Sequence, residues 1–185
     1  QVAERRADGV EQIRARAGNP APFLGSFRAT GDLPVACKAT EMVNARGFVW
    51  LDEHDCEHPD RLWGVRDEPR PLAVQIWDND PETMAKVGRR LVEEYEVSVV
   101  DINFGCPVKK VVRCNGGSGC LRDLPLVDRL LKSVRAAIRI PLTMKFRAGW
   151  NDKELVHVTM AKMAEDNGLA AIALHPRTRE QGYSG

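Results

Sequence analysis

VSVVDINFG (97–105) is rich in Val, Ile and Phe and closes on glycine, as a strand buried on both faces should. Three comparable runs accompany it: PLAVQIW (71–77) upstream, and PLTMKFRA (141–148) and AAIALH (170–175) downstream. Amphipathic stretches separate them. Pro81 to Tyr95 follows Asp80, an N-cap with proline at the first helical position, and sets Met84, Val87, Leu91 and Val92 on one face. Leu124 to Ile138 stacks Val127, Leu130, Leu131, Val134 and Ile138 in the same way, and Asp152 to Asn167 ends at Gly168, suited to a left-handed cap. This rhythm predicts four parallel strands joined by right-handed helical crossovers. An earlier strand is expected near Ala39 to Val43, and the polar stretch from Gly47 to Arg70 receives no assignment.

Strand–helix repeats build either an open doubly wound sheet or a closed (β/α)8 barrel. The strand ends favour the barrel. Gln75, Asn103 with Cys106, Lys145 with Arg147, and His175 with Arg177 all stand at or just past the C-terminal ends of successive strands. In a barrel those ends converge on one face, where active sites of that fold are built. A barrel of this class takes about 250 residues, against 185 here. The expectation is therefore α/β, a TIM-barrel type with only part of the barrel in this chain. Residues 35–185 hold that part, and 1–34 are a poorly patterned lead-in: a short helix to Ala17, then the loop-like GNPAPFLGSFRATGDLP.

Composition narrows the function. The chain is 43% hydrophobic and 29% charged, with 27 Lys and Arg against 26 Asp and Glu. A net charge of +1 supplies no global field for a polyanion, so any nucleic-acid contact must be local. No apolar run approaches the roughly 18 residues that span a bilayer, and the N-terminus lacks a signal peptide's apolar centre, which predicts a cytoplasmic protein without a membrane partner. Five cysteines without a secretory signal do not read as a disulfide framework.

The densest segment is DINFGCPVKKVVRCNGGSGCL (101–121), a strand running into Gly105, Cys106 and Pro107, then a basic turn and a glycine-rich stretch. Gly105 permits close backbone approach and Pro107 stiffens the turn, so the Cys106 thiol can project into a pocket as an acid or as a nucleophile. Lys145 sits inside an apolar strand pattern, where a charge is costly unless it is paired or faces a polar site. Lys109, Lys110 and Arg113 follow Cys106 and suit phosphate contacts. HDCEH (54–58) reads as a solvated loop rather than a metal site, Cys114 and Cys120 as incidental, and Trp77 as a packing residue; no metal is expected.

DINFGCPVKKV with its trailing Gly117, Ser118 and Leu121, MKFRAGW (144–150) and HPRTREQGYSG (175–185) resemble the tRNA-dihydrouridine synthases, flavoenzymes of the (β/α)8 class. TEMV (40–43) and VQIWDNDP (74–81) add weaker matches. The resemblance implies reduction of a uridine in tRNA to 5,6-dihydrouridine, with FMN as hydride carrier and NADPH as reductant. It makes Cys106 the proton donor to carbon 5 of uracil. An ordinary thiol, with a pKa of about 8.5, is protonated near neutrality and can fill that role. Gln75, Lys145 and His175 become flavin contacts, and Lys145 stabilises negative charge on the reduced ring. Asn103, Arg147, Arg177 and Tyr183 are assigned to the extruded uracil, and Lys109 and Lys110 to the tRNA.

The resemblance also places the last barrel strands, which hold the FMN phosphate, and a helical tRNA-gripping domain outside this chain. ATGDLP (29–34) stands where the first-strand turn behind the flavin is expected. Two rival readings remain at this level: an FMN barrel acting on a free pyrimidine, as dihydroorotate and dihydropyrimidine dehydrogenases do, and a non-catalytic truncated barrel. Val108, Lys109 and Lys110 after the Cys-Pro turn favour RNA. The tRNA position and the oligomeric state are not encoded legibly.

Overall fold

A computed structural model describes residues 23–25, 37–56 and 65–184. The strands are β1 (Phe23–Gly25), β2 (Cys37–Ala39), β3 (Val43–Asn44), β4 (Leu72–Trp77), β5 (Val99–Phe104), β6 (Leu142–Arg147) and β7 (Ala171–His175). The helices are α1 (Ala45–Glu53), α2 (Pro81–Glu93), α3 (Lys109–Arg113), α4 (Leu124–Ala137) and α5 (His157–Asp166), with a 3-10 turn at Gly117–Arg122. All four apolar runs are parallel strands. They lie in one seven-stranded sheet of order β1-β2-β4-β5-β6-β7, with β3 also paired to β4. From β4 onward spatial order follows chain order without reversal, as a barrel requires and a doubly wound sheet does not. The chain thus forms part of a (β/α)8 barrel.

The two faces of the sheet divide by residue type. Val74, Ile76, Val100, Ile102, Phe104, Leu142, Met144 and Phe146 are fully buried beneath the helices. The opposite face begins with small residues, Ala73, Val99, Ala171 and Ala173, and becomes polar toward the strand C-termini. Alternation along a strand makes this separation automatic.

Asp80 caps α2 as expected, its carboxylate accepting from Thr83 N at 2.9 Å. Asp123 does the same for α4 through Leu126 N at 3.0 Å. Met84, Val87 and Leu91 of α2 and Leu130, Leu131 and Val134 of α4 are completely buried, each contributing about 1.5–3 kcal/mol. At Gly88 the two helices touch: an added Cβ would stand 3.4 Å from Val134 Cγ1, at van der Waals distance.

Four expectations are corrected or refined. The helix placed from Asp152 begins at His157. Asn151 Oδ1 instead accepts from Lys153 N and Glu154 N, both at 2.9 Å, and Trp150 N donates to Glu154 O at 3.1 Å, folding 150–154 into a tight turn. Gly149 is required there, because a Cβ would meet Glu154 O at 2.1 Å. The strand expected at Ala39 to Val43 is split into β2 and β3, and the unassigned stretch after Gly47 contains most of α1. The loop-like 18–34 segment contains β1, antiparallel to β2. The helix expected before Ala17 and the ATGDLP turn lie outside the described residues, as does His58 of HDCEH.

Candidate active site at the strand C-termini

Parallel pairing puts Gln75 opposite Asp101, Asp101 opposite Thr143, Asn103 opposite Lys145, and Arg147 opposite His175. Successive rows of the polar face are therefore set by register alone. Of these residues, Gln75, Asp101, Thr143 and Lys145 line a cleft together with Thr40 and Ala73, while Asn103, Arg147 and His175 stand outside its lining.

A continuous hydrogen-bond chain crosses this face. Thr143 Oγ1 donates to Asp101 Oδ1 at 2.6 Å, and Gln75 Nε2 donates to Asp101 Oδ2 at 2.5 Å. Gln75 Oε1 accepts from Asn103 Nδ2 at 2.7 Å. Asn103 Oδ1 in turn accepts from the backbone N–H groups of Gly105, at 2.9 Å, and Cys106, at 2.8 Å. Since the ionised Asp101 carboxylate offers only acceptors, the chain determines which way both amides face. It ends on the Cys106 peptide.

Cys106 is half-buried and is gripped from its other side by the glycine-rich stretch. Its carbonyl accepts from Ser118 N at 3.1 Å and Ser118 Oγ at 2.8 Å. Gly117 adopts φ +52°, and an added Cβ would sit 2.9 Å from that carbonyl. Gly116 lies under Trp77, where a Cβ would come within 2.6 Å of Cε3. Trp77 thus packs, and the glycines serve to seat the cysteine. Cys120 is buried with Sγ 3.0 Å from Asn115 O, and burial pushes its thiol up to about 12. Cys114 is exposed on the surface.

Lys145 is pulled below the usual ammonium range by burial, opposed by the nearby Asp101 charge. Asp101 is pushed upward, again chiefly by burial, against the donations from Gln75 and Thr143 and the charge of Lys145. Among the described residues no hydrogen bond or ion pair within 4 Å engages the Lys145 ammonium. His175 is held below its ordinary value by burial and by Arg147, Lys145 and Arg177. Its Nδ1 stands 3.2 Å from Arg177 N, which donates to it, so the proton of the neutral ring belongs to Nε2.

Arg147 is almost fully buried. Its Nε donates to Gly105 O at 2.8 Å, and Nη1 donates to Thr178 O at 3.1 Å and Gly182 O at 2.9 Å. The guanidinium thereby ties the turn bearing Cys106 to the segment after β7. Its carbon lies 5.7 Å from the ring centre of Tyr183, which is itself 78% exposed. Lys109 and Lys110 are exposed on α3, on the outer rim.

Sequence reasoning missed Asp101 and Thr143. The signal was present, since Asp101 is a charge inside an apolar strand with the same parity as Asn103. TEMV finds its place too: Thr40 Oγ1 accepts from Gln75 N at 3.4 Å, and Met42 Sδ from Asn103 Nδ2 at 3.6 Å. In HDCEH, His54 stacks on Trp50 with ring centres 4.2 Å apart, and Cys56 is exposed. Among the described residues no cluster has the makeup of a metal site, and no helix is long and apolar enough to cross a membrane.

Fold and site together define a (β/α)-barrel protein that gathers an amide pair, a cation, a thiol and an imidazole at its strand ends. Residues 31–185 match the family described as Dihydrouridine synthase (Dus), and the chain belongs to that family. It is 40% identical over 134 residues to tRNA-dihydrouridine synthase B of Xanthomonas axonopodis pv. citri, covering 68% of this chain and 40% of that relative. The Pseudomonas aeruginosa tRNA-dihydrouridine synthase B is 42% identical over 147 residues, 79% of this chain and 42% of the relative. That of Pectobacterium carotovorum is 39% identical over 165 residues, 89% of this chain and 49% of the relative. The chain spans less than half the length of these relatives.

Proposed function

We propose that this chain carries the reducing site of a cytoplasmic tRNA-dihydrouridine synthase, which converts uridine in tRNA to 5,6-dihydrouridine with FMN and NADPH. The observation that carries the reading is the hydrogen-bond chain from Thr143 through Asp101, Gln75 and Asn103 to the Cys106 amide, beside a lysine whose ammonium meets no hydrogen-bond acceptor among the described residues.

The residues present fit a flavin. A half-buried ammonium that no acceptor engages among the described residues suits an electron-rich ring edge, and Ala73 and Ala173 leave room on the cleft wall. Gln75 retains one amide hydrogen and one lone pair beyond its bonds to Asp101 and Asn103, enough to address a heterocycle. His175 Nε2–H is a further donor. FMN, when bound, supplies hydride to carbon 6 of uracil and is recharged by NADPH.

The remaining chemistry belongs to the chain. Cys106 Sγ–H delivers the proton to carbon 5 as the C5–C6 double bond becomes single. Lys145 offsets negative charge at the reducing centre. Asn103, Arg177 and Tyr183 border the extruded base, and Arg147 keeps Nη2 for it while its other nitrogens hold backbone carbonyls. Exposed Lys109 and Lys110, on the helix that follows Cys106, favour an RNA over a free pyrimidine.

The test has two arms. The protein is mixed with FMN, freed of unbound dye and treated with NADPH; a bound flavin spectrum that bleaches is expected. An unmodified tRNA transcript should then gain two hydrogens at a uridine, and Cys106→Ala should retain flavin and NADPH oxidation while losing that product. A product level in Cys106→Ala equal to wild type would remove the thiol from the mechanism, and reduction of free uracil in preference to tRNA would overturn the substrate.

A further inference from the structure

We infer that Arg122, Trp150 and Arg179 form a phosphate-binding site that holds the RNA backbone beside the cleft, an inference that rests on the tRNA reading above. The guanidinium carbons of Arg122 and Arg179 lie 4.9 Å and 4.8 Å from the centre of the Trp150 ring. Two like charges drawn to one aromatic ring repel each other unless an anion joins them. No carboxylate of the described residues does so.

Acidic side chains of the same segments bond to other groups, and among the described residues none forms an ion pair within 4 Å with Arg122 or Arg179. Asp123 caps α4 through Leu126 N, Asp152 accepts from Gln181 Nε2 at 3.3 Å, and Glu154 accepts from Asn151 Nδ2 at 3.2 Å. Among the described residues no hydrogen bond or ion pair within 4 Å engages the Nη groups of Arg122 or Arg179, so these donors are left for a ligand, while Arg179 Nε is enclosed by the protein. Each guanidinium carries a planar fork of N–H donors suited to the oxygens of a phosphodiester, and contact with the Trp150 ring keeps both beside one side chain.

The placement is informative. Arg122 ends the 3-10 turn whose Ser118 grips the Cys106 carbonyl. Arg179 N donates to Gly149 O at 2.9 Å and Glu180 N to Trp150 O at 3.0 Å, zipping the segment after β7 to the one after β6. A phosphate held here is therefore in rigid register with the thiol. Cys106 and this site would grip the same RNA at two points, one reading a base and the other its backbone.

The test measures binding of a fluorescent, full-length unmodified tRNA transcript as a function of salt. Arg122→Ala with Arg179→Ala should weaken binding about tenfold at 0.1 M salt and lower the slope of log affinity against log salt by about one. The rate at saturating tRNA should fall far less than the affinity. Arg122→Lys with Arg179→Lys should keep the slope while recovering only part of the affinity, because a point charge lacks the planar fork. Arg139→Ala, at the opposite end of α4, is the control and should change neither quantity. Thermal unfolding is followed in parallel; if the alanine pair is destabilised, Arg122→Gln with Arg179→Gln, which keeps side-chain volume, replaces it. Unchanged affinity and slope in a folded double variant would overturn the site, whether or not dihydrouridine is formed. Loss of binding in that variant, with no dihydrouridine from wild type, would retain the site and overturn the reaction instead. A wild-type protein that does not bind tRNA would overturn both.

Discussion

Asn103 reaches from β5 to Gln75 on β4, its Nδ2 donating to Gln75 Oε1 at 2.7 Å, while its own Oδ1 holds the Cys106 amide. One side chain thus couples the orientation of a cleft-lining amide to the position of the thiol. The orientation of both is set from below by Asp101, whose ionised carboxylate accepts from Gln75 and Thr143.

Replacing Asp101 separates two roles. Asp101→Asn can still accept from Gln75 through its oxygen while its amide donates to Thr143 Oγ1, so the chain survives without the charge. Stability at pH 7 should change by no more than about 1 kcal/mol, whereas Asp101→Leu, which leaves Gln75 and Thr143 unpaired, should cost about 2–4 kcal/mol. Because the folded-state pKa is raised, the native protein holds this proton at pH values where the unfolded chain has lost it. The Asp101 contribution is thus greatest at low pH and declines as pH rises from its ordinary value through the folded one. Urea titrations across that range should show this decline in wild type and its loss in Asp101→Asn; an identical pH profile for the two would contradict the assignment.

Asp80 gives the opposite sign. Thr83 lowers its pKa through a side-chain and a backbone hydrogen bond. Its stabilisation is present above the unfolded value and is lost as pH falls through the lower folded one. Asp80→Ala should cost about 1 kcal/mol at pH 7, and the difference from wild type should shrink in acid, as read by denaturant midpoints.

Trp77 and Gly116 should show strong coupling. Gly116→Ala places a methyl within 2.6 Å of the indole and should cost on the order of 1–3 kcal/mol as an overpacked contact. Truncation to Trp77→Ala in the same chain opens the space, so the pair of changes should cost less than the sum of the singles. Simple additivity would mean that the contact does not constrain the Cys106 turn.

Thiol reactivity should rank by burial. Cys120, raised to about 12, should resist iodoacetamide at pH 8 until the protein unfolds, while exposed Cys56 and Cys114 label readily. Peptide mapping after a short pulse gives the order. Early modification of Cys120 would show that the 3-10 turn opens under native conditions.

Arg147 should behave as a tie. Lysine has one nitrogen in place of the separate Nε and Nη1 that reach Gly105 on one side and Thr178 and Gly182 on the other, so Arg147→Lys should speed tryptic cleavage after Arg177 and Arg179 and lower the melting temperature. Unaltered cleavage would mean that the segment after β7 holds itself.

Much of this was legible from local pattern. Strands β4 to β7 follow from apolar runs, α2 and α4 from caps and one-sided apolar faces, and Gln75, Cys106, Lys145 and His175 from being polar at strand ends. The start of α5 was not, because the turn at 150–154 depends on Asn151 competing for backbone donors and on Gly149 admitting Glu154. Nor was the work of the glycines at 116, 117 and 119, which reads as a glycine-rich loop in one dimension and proves to be a packed 3-10 turn.

Local spacing and residue type sufficed for the parallel βα architecture, the polar strand ends and the family, since each depends on pattern within a few dozen positions. Tertiary structure alone decided that Asp101 orients Gln75 and Asn103, that Arg147 faces three carbonyls and that Arg122 and Arg179 share Trp150. Those relationships join residues 26 to 42 positions apart or more. Which acceptor a donor finds over such a distance depends on strand register and chain reversal, and no local periodicity encodes either.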